Sequence, residues 1–245
     1  MQHLVSLPNR VSPKSLVTQP FLSACSLTFS VPAEQITALT QPASEPEIWD
    51  GFGMLNLSIF RSSHLAMPGW PTWVGAPSLL VVYGVFTRQY DSNFSSQRAY
   101  RVLKLEADRK RLVWPGHMTG APQVSLLETH EASTSTGLVF EDKRSPRRLS
   151  LEFMHEDGEL PEDSLFTNHW QAERFSLPVC NPQIFFGAQQ ELLLSSFKRC
   201  QSMELISLAK LQLSWMNQWR GKGGAPRLAA AYASFTARCG SGAAL

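Results

Sequence analysis

The sequence predicts an α+β chain dominated by strands, on three observations. Apolar and polar residues alternate over several short segments, turn-forming residues punctuate them closely, and helical spacing is confined to two stretches. Residues 1–20, with His3, Pro8, Arg10, Pro13 and Lys14, read as an irregular leader without the apolar run of a signal peptide. Ser23–Val31 alternates weakly and reads as a strand. Pro32-Ala33-Glu34-Gln35 places proline in a first helical turn, which predicts a short helix through Leu39, stopped by the turn-rich 41–46. Asp50-Gly51 is a tight-turn signal that feeds the clearest strand, 54–61. Leu55, Leu57 and Ile59 share one of its faces, and Asn56 and Ser58 the other.

A loop rich in Pro, Gly and Trp follows at 67–77. Leu79–Phe86 is apolar on both faces apart from Tyr83 and Gly84, as a central strand covered on both sides should be. Thr87–Gln97 reads as a hairpin loop and Arg98–Glu106 as another alternating strand. Four more strands are expected at 123–129, 136–141, 148–153 and 173–179, and so many short strands suggest a closed barrel or a sandwich. From Gln189 to Trp219 there is no proline or glycine, and Leu208, Leu211, Trp215 and Trp219 recur at helical spacing. One or two amphipathic helices are therefore expected at 189–219, covering an open side of the sheet. Glycines 221, 223 and 224 end that stretch, and 220–245 reads as a flexible tail. The organisation expected is a leader at 1–20, a single domain over 21–219 and the tail.

At 245 residues, 43% hydrophobic and 17% charged, the chain can bury a substantial core. A net charge of +2 with scattered Lys and Arg excludes the basic stripe of a nucleic-acid binder. No stretch approaches the ~20 apolar residues that span a bilayer, so a cytoplasmic protein without membrane partners is expected. Cys25, Cys180, Cys200 and Cys239 are far apart and form no CxxC pair. They read as reduced thiols, although one disulfide is compatible. Six scattered histidines without HxH or HExxH predict no metal, and no phosphate loop or GxSxG elbow is present, so no cofactor is expected. A homo-oligomer is compatible with the composition.

The helix beginning Val31-Pro32-Ala33-Glu34, the turn Trp49-Asp50-Gly51 with its strand, the run Arg101–Asp108 and the turn Trp114-Pro115-Gly116-His117-Met118-Thr119-Gly120-Ala121-Pro122 occur in that order. This order resembles the acetoacetate decarboxylase-like superfamily over residues 22–180. The resemblance implies a β-rich, cone-like barrel with covering helices and a central apolar cavity. In the decarboxylase two adjacent lysines stand between the two prolines, one of them forming a Schiff base with its pKa lowered by the apolar site and the neighbouring cation (a case general accounts of nucleophilic lysines cite). Here Gly116 and His117 stand near those places, and the loop 67–76, where the family's catalytic Glu belongs, contains no acid. The resemblance thus implies a branch without the imine-forming lysines.

Read as such a relative, the chain binds a small organic acid or ketone in the cavity without Schiff-base decarboxylation. If it is an enzyme, it is a non-imine lyase or hydrolase-type activity on a small organic acid. His117 is the candidate acid or base, since imidazole titrates near neutral pH; a lone turn histidine also serves simply as a hydrogen-bonded loop residue. Arg61, Trp70, Tyr83, Trp114, Lys104 and Glu106 are the candidate ligand contacts. Arg61 offers a planar fork to a carboxylate or caps its strand in water. The Trp-rich loop lines a cavity mouth or is plain core. Lys104 and Glu106, two apart in a strand, leave the same face: inside they form a buried pair that stands in for the missing amine, outside a solvated one. Leu103 and Leu105 on the opposite face favour outside. The alternative function, from another class, is a non-catalytic scaffold that displays the 189–219 helix to a partner.

Overall fold

The computed structural model describes residues 21–40, 45–65, 76–90, 96–110, 124–133, 137–142, 149–176, 191–193, 204–214 and 226–235. Their elements in chain order are β1 (Phe21–Pro32), α1 (Ala33–Thr40), β2 (Glu45–Pro46), β3 (Ile48–Trp49), β4 (Phe52–Leu65), β5 (Ala76–Tyr90) and β6 (Ser96–Ala107). Then come β7 (Val124–Leu126), β8 (Thr129–Ser133), β9 (Gly137–Asp142), β10 (Leu149–Asp157), α2 (His169–Ser176), β11 (Glu191–Leu193), β12 (Glu204–Leu213) and β13 (Arg227–Phe235). The expected leader at 1–20 lies outside the described residues.

One sheet takes in all the strands, in the order β11-β6-β5-β4-β1-β13-β12-β10-β9-β8, with β2 on β5, β3 on β4 and β7 parallel to β6. The path has two ends, so among the described residues the expected barrel is not a closed ring of pairs. Only Leu127 and Glu128 separate β7, which pairs with β6, from β8, which pairs with β9. One segment of chain therefore serves both flanks of the sheet. The Asp50-Gly51 turn is as the sequence indicates: φ is +49° and +80° at the two residues, and Trp49 faces Phe52 across a two-residue hairpin. Both positions need positive φ in such a turn, which Asp tolerates and Gly adopts freely.

Both faces of the sheet carry a core. One cluster joins Cys25, Leu27, Leu57, Ile59 and Val81 of β1, β4 and β5 with Leu149 and Leu151 of β10 and Leu213 of β12. Strands from the two halves of the path thus meet on one side, which makes that side the inner face of a curled sheet. The outer face buries Phe60, Leu80, Val82, Phe86 and Tyr100 against Phe166, Ala172 and Phe175, from α2 and the segment before it.

Three expectations are corrected. Residues 173–176 are helical, not the start of a strand. Asn168 caps α2, its Oδ1 accepting from the Gln171 N–H at 3.0 Å, while Gln171 Oε1 accepts from the Thr167 N–H at 3.0 Å. Within 189–219, the described residues 191–193 and 204–213 are strands rather than amphipathic helix. The register of β12 against β10 slips between Lys210 and Leu208, which puts Leu208 with Leu211 and Leu213 in the inner cluster. A three-residue step across a bulge imitates helical spacing. In the expected tail, 227–235 is strand β13, between β1 and β12 near the middle of the path. Its Ala229, Ala230 and Ala231 are buried, and alanine carries little strand signal of its own.

Candidate functional site

Strand register on the inner face arranges nine residues in three rows. Leu57, Tyr83 and Lys104 lie abreast in the first; Ile59, Val81 and Glu106 in the second; Arg61 and Leu79 in the third. Asp108 completes the third row, its N–H donating to the Leu79 carbonyl at 3.2 Å. Directly opposed residues of an antiparallel pair put their side chains on one face. Leu57, Ile59, Leu79 and Val81 belong to the inner cluster, so the polar residues of these rows share its side of the sheet.

Glu106 is the centre of the polar part. Its side chain is fully buried, and Tyr83 OH donates to Oε2 at 2.8 Å. Lys104 Nζ lies 2.9 Å from Oε1, and Ser125 Oγ donates to Oε1 at 3.1 Å. The Lys104 ammonium also stands 5.1 Å from the Tyr83 ring centroid, over its negative face. A carboxylate among leucines and valines is tolerated only with such a set of donors. Lys104 keeps 18% of its side chain exposed, so the ammonium ends between the buried carboxylate and accessible space.

The expectation that Lys104 and Glu106 point outside is therefore corrected. Strict alternation would make Leu103 and Leu105 one apolar face opposite a wet one. In the structure the register slips between Tyr83 and Gly84, opposite Leu103. Leu103 then packs with the inner cluster and Leu105 with the outer. Neither face of β6 is simply solvent.

Arg61 ends its row exposed to solvent. Asp108 is partly covered, and its Oδ1 is buried with no hydrogen-bond partner among the described residues. Burial pushes the Asp108 carboxyl above its ordinary 3.8, against the opposing pull of the Leu79 amide, Arg109 and Arg61. Arg109 Nε is 3.9 Å from Asp108 Oδ2 and donates to the Pro77 carbonyl at 3.2 Å. Neither Ser125 nor Asp108 is among the candidate contacts that the sequence offers. Asp108 continues the every-second-residue series 104, 106, 108, which is a legible signal; the contact of Ser125 depends on β7 pairing with β6. Trp70, Trp114 and His117 lie outside the described residues. Among those described, no group of three or more His, Cys, Asp or Glu is placed to hold a metal ion. Cys25 is free and buried, its thiol pushed well up by desolvation.

The outer face carries a second polar cluster with a different use. Asn56 Nδ2 donates to Ser26 Oγ at 2.8 Å, and its Oδ1 accepts from Ser58 Oγ at 2.6 Å and Tyr100 OH at 3.1 Å. Ser26 and Thr28 hydroxyls donate in turn to the carbonyls of Ser176 and Phe175. Carbonyls at a helix end lack intrahelical donors, so this network fastens the end of α2 to the sheet. Its donors and acceptors are turned on one another, and its role is structural.

No family model matches the chain, and no curated protein matches it. Solved structures similar to it include an acetoacetate decarboxylase from Legionella pneumophila, at 9% identity and TM-score 0.41, covering 64% of this chain and 58% of that one. The enduracididine biosynthesis enzyme MppR, complexed with pyruvate, is similar at 8% identity and TM-score 0.40, covering 60% of each chain. An acetoacetate decarboxylase-like enzyme from Sphingomonas wittichii is similar at 11% identity and TM-score 0.35, covering 54% of each. The chain thus spans about three fifths of the length of the first two. The first and third of these carry the name of the superfamily that the sequence resembles.

Proposed function

We propose that the chain binds a small organic acid or ketone against the inner face of the sheet, in a container completed by the 124–133 segment, without Schiff-base chemistry. One observation carries this reading: the Lys104–Glu106–Tyr83–Ser125 cluster on the inner face, with the ammonium still partly accessible. Replacing a buried ion pair with apolar residues is often neutral or stabilising, so stability alone gives little reason to keep one here. Lys104 has three N–H donors, and the carboxylate of a small acid can take those that Glu106 leaves. Glu106 already accepts from three groups, which suits it to positioning Lys104 and Tyr83 rather than to taking a proton from substrate. An ammonium donating to a carboxylate offers no lone pair for imine formation. The reading therefore has Lys104 anchor an anion, with Arg61 at the open end of the rows.

The scaffold alternative relied on a displayed helix at 189–219, and the described parts of that stretch are strands. Calorimetric titration with pyruvate tests the binding reading. Saturable binding to the wild type that weakens at least about tenfold in Lys104→Met supports it, ten times being about 1.4 kcal/mol. Borohydride treatment in the presence of pyruvate should leave the mass of the protein unchanged. No binding, or equal binding by both proteins, overturns the reading, and a covalent adduct overturns the exclusion of an imine.

A further inference from the structure

One residue too many lies between Tyr100 and Glu106 for a regular strand to place both. Strict alternation sends Tyr100, Val102, Lys104 and Glu106 to one face. Yet Tyr100 and Val102 pack in the outer core, while Glu106 lies abreast of Val81 on the inner face. The difference is absorbed at Leu103. Lys104 pairs with Tyr83 and Val102 with Gly84, so Leu103 is a bulge with no counterpart in β5, and Lys104 flanks it.

Each half of β6 is tied separately. After the bulge, Glu106 accepts from Tyr83 and Ser125. Before it, Tyr100 opposes Phe86, but its hydroxyl reaches past β5 to Asn56 Oδ1 of β4 at 3.1 Å. β4 and β6 stand two strand spacings apart, about 9.6 Å, so the ring bridges them only by lying over the strand between. It lies over Gly84, the residue that pairs with Asn56. A Cβ on Gly84 would stand 2.4 Å from Tyr100 Cζ and 2.6 Å from its hydroxyl oxygen. Tyr100 is 2% exposed and set edge-on against Phe86, so its ring withdraws only if the outer core repacks. Glycine inside a strand weakens it, and the ring that it admits here explains its place.

We infer that Gly84 and Tyr100 are positioning residues for the anion site: Tyr100, laid over the bare backbone of Gly84 and bonded to Asn56, keeps the bulge at Leu103 and so keeps the Lys104 ammonium on Glu106. This deepens, and rests on, the anion-binding reading above. It gives one member of the outer network a consequence on the other side of the sheet. With the Tyr100 half of β6 loosened, that half slips by one residue toward a regular ladder while Glu106 stays tied. Lys104, beside the bulge, is the residue whose direction then changes.

The test reads the Lys104 ammonium by NMR without ligand, and pyruvate affinity by calorimetry, on folded wild type, Gly84→Ala, Tyr100→Phe and Asn168→Ala. Gly84→Ala should remove the solvent protection of the Lys104 resonance and weaken pyruvate binding at least about tenfold. Tyr100→Phe keeps the ring and loses only the hydroxyl, and it serves where Gly84→Ala does not fold. It should shift the same resonance and weaken pyruvate about fivefold, the worth of one hydrogen bond. Asn168→Ala, which loosens the cap of α2, should lower stability and leave both readouts unchanged. Gly84→Ala and Tyr100→Phe that lose stability but keep the wild-type resonance and affinity overturn the inference and leave anion binding at Lys104 standing. Equal losses in Asn168→Ala show a general effect of lowered stability and overturn it too. No pyruvate binding by wild type, with the resonance responding as expected, overturns the anion reading and leaves the control of Lys104 by Tyr100 standing. A wild-type Lys104 resonance that exchanges freely overturns both.

Discussion

Glu106 shows how a single residue commits its neighbourhood. A carboxylate with no exposure among Val81, Ile59 and Leu57 replaces lost water contacts with donors from Tyr83, Lys104 and Ser125. Glu106→Leu leaves three donors facing an apolar side chain and should cost about 3–5 kcal/mol in urea unfolding. Adding Lys104→Met should recover a large part of that loss, because the ammonium no longer lacks its partner. A double variant as unstable as the sum of the singles would show that the two side chains are not coupled. Asp108 gives a prediction with the opposite electrostatic sign. Its folded-state carboxyl lies above the ordinary 3.8, so the folded protein holds that proton more tightly than the unfolded chain. The resulting stability is fully present below the unfolded value and is lost as pH rises through the folded one. Asp108→Asn should accordingly flatten the fall of stability in that window; a steeper fall in the variant contradicts the assignment.

Among the elements, α2 is the plainest case of a short helix held by its ends. At eight residues it is below the length at which helices persist alone in water, so caps and packing decide it. Asn168 caps its start, the Ser26 and Thr28 hydroxyls take its last carbonyls, and Phe175 and Ala172 fill the outer core. Asn168→Ala should cost about 1 kcal/mol, measured by thermal unfolding. No loss would mean that packing alone sets the helix. The cap is legible as Asn168 followed three residues later by Gln171, and it marks 173–176 as helix rather than the strand expected there. β12 failed for another reason, since a bulge between paired strands cannot be seen from one strand's sequence. β1, α1, β4, β5 and β6 were legible because their turns, prolines and alternation are local features.

For the whole molecule, alternation identifies two faces of a strand and does not reveal which of them meets water. In a sheet with a core on each side the polar face of β4 is also buried, and Asn56 and Ser58 lie there fully covered. The same ambiguity put Lys104 and Glu106 outside, although their joint presence on one face was readable. Which residues converge on them depends on β7 returning beside β6, a contact between segments 19 residues apart at Glu106 and Ser125. Residue spacing carries no such information, and the turn holding His117 falls outside the residues described. No helix of the described residues is long and apolar enough to cross a membrane.

On the proposed function, the buried Glu106 carboxylate on the inner face holds the Lys104 ammonium ready for a small anion. The nitrogen-resolved NMR spectrum of the lysine ammonium groups reaches it directly. One solvent-protected resonance is expected, which disappears in Lys104→Met and shifts saturably as pyruvate is added to the wild type. A Lys104 signal that exchanges as freely as the other lysines, or that stays in place under saturating pyruvate, would contradict it.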